Sequence, residues 1–256
     1  MKSEKQYIDL FTDAHAMICE HSSPVMNHVR EQAFKDFKQQ GFPSRKIERY
    51  RYTDINALFE PNYGLNLNRL EIPVDPYAAF KCDVPNLSTS LYFVVNDAFY
   101  TKALPKVGLP EGVKVLSLRE ASLEMPDLVA KYYGQIAKTQ EDALTALNAM
   151  LAQDGLFIYV SKGVQMDKAV QVINLLRSDV DLMVNRRVLI VMEEGAQAKF
   201  LFCDHTIDDH RFLATQVIEA YVGENASLDL YCMEETHERN TRISNVYAVS
   251  YTHLRA

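Results

Sequence analysis

Two stretches, Gly195-Ala196-Gln197-Ala198-Lys199-Phe200 and Gly223-Glu224-Asn225-Ala226-Ser227-Leu228, share the form Gly-x-x-Ala-x-apolar. Each directly follows a β-prone run, and Gly163 marks a comparable strand-Gly-strand corner upstream. A glycine corner recurring once per pair of strands is what a stack of similar coils requires. Every coil must turn at the same place, through a backbone that tolerates φ > 0. Strand alternation then sends Ala226, Leu228, Leu230 and Cys232 inward and Ser227, Asp229 and Tyr231 outward. The reading is a β-solenoid; a β-sandwich, which also spaces strands in this way, is the competing architecture.

Outward from these corners the β pattern holds across the second half. Runs at Leu156–Val160, Val170–Leu176, Val188–Met192, Ala198–Cys203, Gln216–Val222, Leu228–Met233 and Ile243–Tyr247 are separated by turn residues and by no ten-residue helix. That excludes an alternating βαβ fold. Before about Gln153 the chain leans helical. Val25, Val29, Ala33 and Phe37 recur every four residues, with Ser23 placed to cap, Pro24 in the first turn and Gly41 past the end. Ile8, Phe11, Ala14 and Ile18 predict a companion helix. Leu144, Leu147 and Leu151 predict another over Glu141 to Ala152, with Thr139 and Asp142 as a capping box and Asp154-Gly155 as its stop. Leu91–Val95 and Val113–Leu116 read as short strands, and Pro61 to Pro85 as an irregular connector. The fold class is α+β, mostly β: an N-terminal helical and mixed domain (1–153), then a partial parallel β-helix (154–247).

The 256 residues are 48% hydrophobic and 24% charged, enough apolar material for a real core. With 27 Lys+Arg against 34 Asp+Glu the formal charge is −7, the wrong balance for a protein that holds duplex nucleic acid. Cys19, Cys82, Cys203 and Cys232 form no C-x-x-C pair and read as free thiols. The start MKSEKQYIDL lacks the apolar region of a secretory signal, and the aliphatic stretch Val188–Met192 is far too short to span a bilayer. A cytoplasmic protein is expected.

No Gly-x-Gly-x-x-Gly, Gly-x4-Gly-Lys-Ser/Thr or Gly-x-Ser-x-Gly motif occurs, so nucleotide-binding and α/β-hydrolase readings lack support. Cys203 and His205 would share one face of a strand, and with Asp204, Asp208, Asp209 and His210 nearby they are the candidate metal ligands. The alternative is a buried strand end followed by a solvated acidic loop. Asp208/Asp209 and Glu234/Glu235 are the only clustered acids that a β-helical carbohydrate-active enzyme could use. Arg186-Arg187 precede a strand, where an ion pair with a neighbouring coil explains them. Arg45-Lys46-Ile47-Glu48-Arg49-Tyr50-Arg51-Tyr52 interleaves cations and aromatics, which in an acidic protein suits a partner or intramolecular docking.

That last stretch, extended to Phe42 and Asp54, resembles the N-terminal signature of the SufB/SufD family, a proline followed by Lys-x-Glu-x-Trp-x-Tyr-Thr. Pro43, Lys46, Glu48, Tyr52 and Thr53 match, and Tyr50 stands where tryptophan is commoner. The resemblance continues through Ala146-Leu147-Asn148, Asp154-Gly155, Arg187–Ile190, Glu194-Gly195-Ala196 and Val222 to Ala226, so it covers most of the chain. The long N-terminal region is closer to the SufD branch. The resemblance implies a right-handed parallel β-helix and a non-enzymatic scaffold role in iron–sulfur cluster assembly. Its implied partners are a SufB-like subunit and a SufC-like ATPase. A transient iron–sulfur cluster and reduced flavin are implied for the complex, with no residue here assigned to either. Family members are longer, with later coils and a helical domain. His205, His210 and His237 lie too early to inherit the family's late histidine. Residues 248–256 resemble translated adapter DNA, so the native part of this sequence is expected to stop near Tyr247, cut partway along a longer solenoid, and the chain to self-associate through its last coil.

Overall fold

The computed structural model describes residues 3–80, 90–102 and 108–251. Cys82 and the last five residues of the expected tail lie outside them. Two long helices open the chain, α1 (Glu4–Glu20) and α2 (Pro24–Gln40). The second starts as its sequence predicts: Ser23 Oγ accepts from Met26 N–H, Pro24 occupies the first turn, and Gly41 ends it at φ 62°. Short helices α3 (Ile55–Phe59) and α4 (Pro76–Ala79) punctuate the next segment, the latter inside the stretch read as an irregular connector. Then come strands β1 (Ser90–Val95), β2 (Ala98–Phe99) and β3 (Val113–Ser117), helices α5 (Leu118–Glu124) and α6 (Pro126–Tyr132), and the fully buried α7 (Ala143–Leu151). The predicted capping box is not the cap of α7. Asp142 alone caps it, accepting from Thr145 N–H at 2.8 Å, and the helix begins one residue later.

Seven further strands follow: β4 (Leu156–Val160), β5 (Val170–Leu176), β6 (Leu182–Met192), β7 (Gln197–Thr206), β8 (Phe212–Val222), β9 (Ser227–Glu235) and β10 (Asn240–Ser250). They alternate between two sheets, β10-β8-β6-β4-β3 and β2-β1-β5-β7-β9, so each coil contributes one strand to each sheet. All pairings from β4 onward are parallel, which makes this a β-solenoid of about three coils rather than a sandwich. Strands from the first half join it: β1 lies parallel to β5, while β3 closes the other sheet antiparallel to β4. The β10 ladder continues through Ser250, opposite Val222.

The corners correct the repeat read from sequence. Gly195 is followed two residues later by the pairing Gln197↔Ser227, so its structural counterpart is Asn225 and not Gly223. Gly163, Gly195 and Asn225 carry the positive φ of the corner at 73°, 70° and 57°. Their stacking is direct, with Gly163 N–H donating to Glu194 O and Gly195 N–H to Glu224 O, both at 2.8 Å. Asparagine takes the third corner because its short polar side chain tolerates the left-handed region better than other residues with a Cβ. Gly223 has a different reason to be glycine: a Cβ there would lie 2.8 Å from Glu193 C and Glu194 N of the preceding coil.

The solenoid interior is apolar in two blocks. One contains Val172, Val188, Ile190, Phe200, Phe202 and Ile218; the other contains Leu176, Leu182, Val184, Phe212 and Ala214. The outer face of the β4–β6–β8–β10 sheet is covered by helices. Phe157, Leu189, Val191 and Tyr221 pack against Met26, Leu118, Val129 and Tyr133. Met183 and Leu213 join the core made by α1, α2 and α7. Arg30 of α2, fully buried, fastens the end of α7 by donating to Met150 O (2.6 Å) and Ala152 O (2.9 Å), where the helix leaves carbonyls unpaired and its dipole is negative. Among the described residues no helix is long and apolar enough to cross a membrane.

Candidate functional site

The two apolar blocks are separated by a polar layer built from one inward position per strand. Asn174, Asp204 and Glu234 stand in register on β5, β7 and β9; Arg186, Gln216 and Ser244 do so on β6, β8 and β10. Arg186 is 2% exposed, and so is Asp204, with which it forms an ion pair. Its Nε donates to Asn96 O at 2.7 Å, tying the layer to the turn after β1. Arg242 reaches the same carboxylate at 3.3 Å and also pairs with Glu234, carrying the layer to the outermost strands. Removing these charges from water is costly unless they are paired, and here two cations meet two anions. Cys232 holds the expected inward register opposite Phe202 but is exposed, because among the described residues no strand pairs beyond β9.

A second buried pair welds helices to solenoid. Arg187 Nη2 lies 2.6 Å from a Glu219 oxygen, at 1% and 0% side-chain exposure. The carboxylate also accepts from Gly134, Ile136 and Ala137 N–H groups at 3.0–3.3 Å, and the Tyr133 ring stacks 4.9 Å from the guanidinium. Thus Arg186 and Arg187 serve opposite faces of one strand: Arg187 pairs with the neighbouring coil, as its sequence reading expected, whereas Arg186 pairs across the interior with the next strand of its own coil.

The signature residues divide by burial. Pro43 is buried, whereas Lys46, Glu48, Tyr52 and Thr53 are exposed, Tyr52 at 88% with Arg51 over its ring. Tyr50 is buried as well and donates to Asp142 Oδ2 at 2.5 Å. Asp142 also accepts from Arg49 (3.2 Å) and from Asn245 Nδ2 (3.0 Å) while capping α7. Thr145 and Tyr247 hydroxyls are 2.8 Å apart beside it. One carboxylate therefore joins the signature loop, α7 and β10. Burial and the bond to Asp142 push the Tyr50 hydroxyl well above the ordinary phenol range, so it stays a donor.

Cys203 and His205 do share the outer face of β7. Cys203 is buried with Phe93, Ile173 and Leu175, and its sulfur accepts from Gln171 Nε2 at 3.4 Å. His205 lies edge-on to Phe80 and 3.5 Å from Glu235, and burial holds it below its ordinary value. Among the described residues no three His, Cys, Asp or Glu side chains are placed to hold a metal ion. Three of the four clustered acids have partners: Asp208 accepts from Ser178 N–H at 2.8 Å and pairs with Arg177, Glu234 pairs with Arg242, and Glu235 lies beside His205. Among the described residues Cys19, Cys203 and Cys232 form no disulfide. Sequence reading missed Arg30, Asp142 as a hub and Glu219, and it placed Asp204 in a candidate metal cluster where the structure pairs it with Arg186. The polar layer had a signal, since polar residues recur on the inward parity at 174, 204 and 234 and again at 186 and 216.

Comparison with known proteins places this geometry. Residues 1–172 match the profile of the SufBD protein N-terminal region, and residues 172–253 match that of the SUF system FeS cluster assembly SufBD core domain. The iron–sulfur cluster assembly protein SufD of Bacillus subtilis is 26% identical over 231 residues, covering 88% of this chain and 51% of its own. The SufBD family protein slr0074 of Synechocystis is 33% identical over 119 residues, 46% of this chain and 25% of its own length. ABCI9 of Arabidopsis thaliana is 30% identical over 170 residues, 66% of this chain and 35% of its own. The chain thus spans between a quarter and about half the length of these relatives. With both regions matched in order over a helix-clad solenoid, the chain belongs to the SufBD family.

Proposed function

We propose that this chain is part of a SufD-like subunit of an iron–sulfur cluster assembly complex, acting as a non-catalytic scaffold in the cytoplasm. It pairs with a SufB-like subunit and is served by a SufC-like ATPase; the cluster is cargo, and any reduced flavin belongs to the assembled complex. The observation that carries the reading is the ordered pair of SufBD regions on a stacked-coil architecture, with a SufD as the relative aligned over 88% of the chain. Asp142, Glu219 and Asp204 are spent on joining segments, which is the work of a scaffold. The test is depletion of the gene in its host. An iron–sulfur enzyme is expected to lose most of its activity while its polypeptide level holds, and reintroducing the gene restores it. Unchanged iron–sulfur enzyme activity on depletion would overturn the reading.

A further inference from the structure

Three polar atoms within the interior layer have no hydrogen-bond partner among the described residues: Arg186 Nη2, Asn174 Nδ2 and Gln216 Oε1. Each belongs to a side chain only 2% exposed. They share one level of the solenoid, because Arg186 faces Gln216 across β6 and β8, Asn174 faces Asp204 across β5 and β7, and Arg186 pairs with Asp204. Leaving such atoms unpaired costs about 1–3 kcal/mol each, and buried polar groups in native proteins are almost always satisfied by protein or by ordered water.

We propose that this layer is a built water site, holding at least one ordered water that accepts from Arg186 Nη2 and Asn174 Nδ2 and donates to Gln216 Oε1. The inventory of free groups fits water: two donors meet its two lone pairs, and one acceptor takes one of its hydrogens. An anion fits less well. The charges of the layer already cancel, with Arg186 and Arg242 against Asp204 and Glu234. Gln216 Nε2 is turned to Ser244 Oγ at 3.3 Å, which leaves its carbonyl oxygen as the unpaired acceptor of this level. The solenoid is thus hydrated between two dry blocks, and the water is part of what fixes how its coils stack.

A crystal structure at a resolution that shows ordered water tests this directly, with a second crystal soaked in bromide. Density within hydrogen-bond reach of all three atoms, without an anomalous bromide signal, is the expected result. An anomalous peak there would make the site an anion site, and direct bonds among re-oriented side chains with no density between them would make the layer dry; either overturns the proposal. In solution, water-selective NOE spectroscopy on the full chain is expected to show transfer from a long-lived water to the Asn174 side-chain amide. That transfer is lost in Gln216→Met, which should also lower Tm by about 2–12 °C as Arg186 and Asn174 lose their bridge. If Gln216→Met does not fold, Asn174→Leu, which removes one donor and leaves the ion pair, serves for the melting comparison, with the water then read at the Arg186 guanidinium protons. Absence of any water transfer to Asn174 in the folded parent chain would refute the site.

Discussion

Replacing Glu219 by alanine removes the carboxylate that holds the helices to the solenoid, and the structure sets the size of the effect. Arg187 would be left fully buried without a counter-charge, and the N–H groups of Gly134, Ile136 and Ala137 would lose their acceptor. Removing one partner of a buried ion pair costs about 3–5 kcal/mol. For a chain of this size each kcal/mol moves Tm by about 2–4 °C, so Glu219→Ala should melt about 6–20 °C below the parent. The double variant Arg187→Met/Glu219→Leu removes both charges and packs apolar side chains in their place. It should recover much of the loss, stopping short of the parent because the three amides still lack their acceptor. Thermal melts followed by circular dichroism, checked by urea titration, measure both. A single variant within 1 °C of the parent, or a double variant no better than the single, would refute the account of the weld.

Gly155→Ala would place a Cβ 1.9 Å from Arg187 O, so the variant should be recovered only as insoluble or strongly destabilised protein by expression and melting assays. At the third corner, Asn225→Gly should be neutral or slightly stabilising, whereas Asn225→Val should cost about 1–2 kcal/mol in urea titration because a β-branched residue is forced to φ 57°. Burial depresses His205 in the folded state, with Glu235 and Asp204 partly opposing it. The unfolded chain therefore takes up this proton first as pH falls below about 6.5. The stability that neutral His205 contributes is complete above that pH and is lost as pH drops toward the folded-state value. His205→Phe should flatten the fall of Tm between pH 7 and pH 5. Because among the described residues β9 and β10 are the outermost strands of their sheets and carry exposed Tyr231, Met233 and Val246, the chain should show concentration-dependent association in sedimentation velocity, and a clean monomer at all concentrations would contradict this.

The solenoid was legible because its signals are local. Strand alternation and turn residues located β4 and β5 to the residue, and the other strands differ mainly in length. β6 begins at Leu182 and not Val188 because Asn185, Arg186 and Arg187 interrupt the apolar run although each is buried and paired. The coil repeat was misaligned by two residues for a related reason. Composition rewards matching Gly195 to Gly223, but the conformation that matters, a positive φ, is supplied at the third corner by an asparagine. Ser23, Pro24 and Gly41 announced α2, since caps are read from single residues. Helices α5 and α6 escaped notice, for both are seven residues long, too short to show a helical period. The hub at Asp142 was not readable at all, because it joins residues 49, 50 and 245, and nothing local relates them.

The central claim is that the chain is a scaffold piece that works by pairing with another solenoid subunit. Co-expression with the SufB-like and SufC-like proteins encoded in the same genome, affinity capture through a tag on this chain, and native mass spectrometry of the eluate test it most directly. The expected result is a stoichiometric complex with the SufB-like subunit. Recovery of this chain alone or only with itself, while the SufB-like protein is soluble in the same lysate, would contradict the claim.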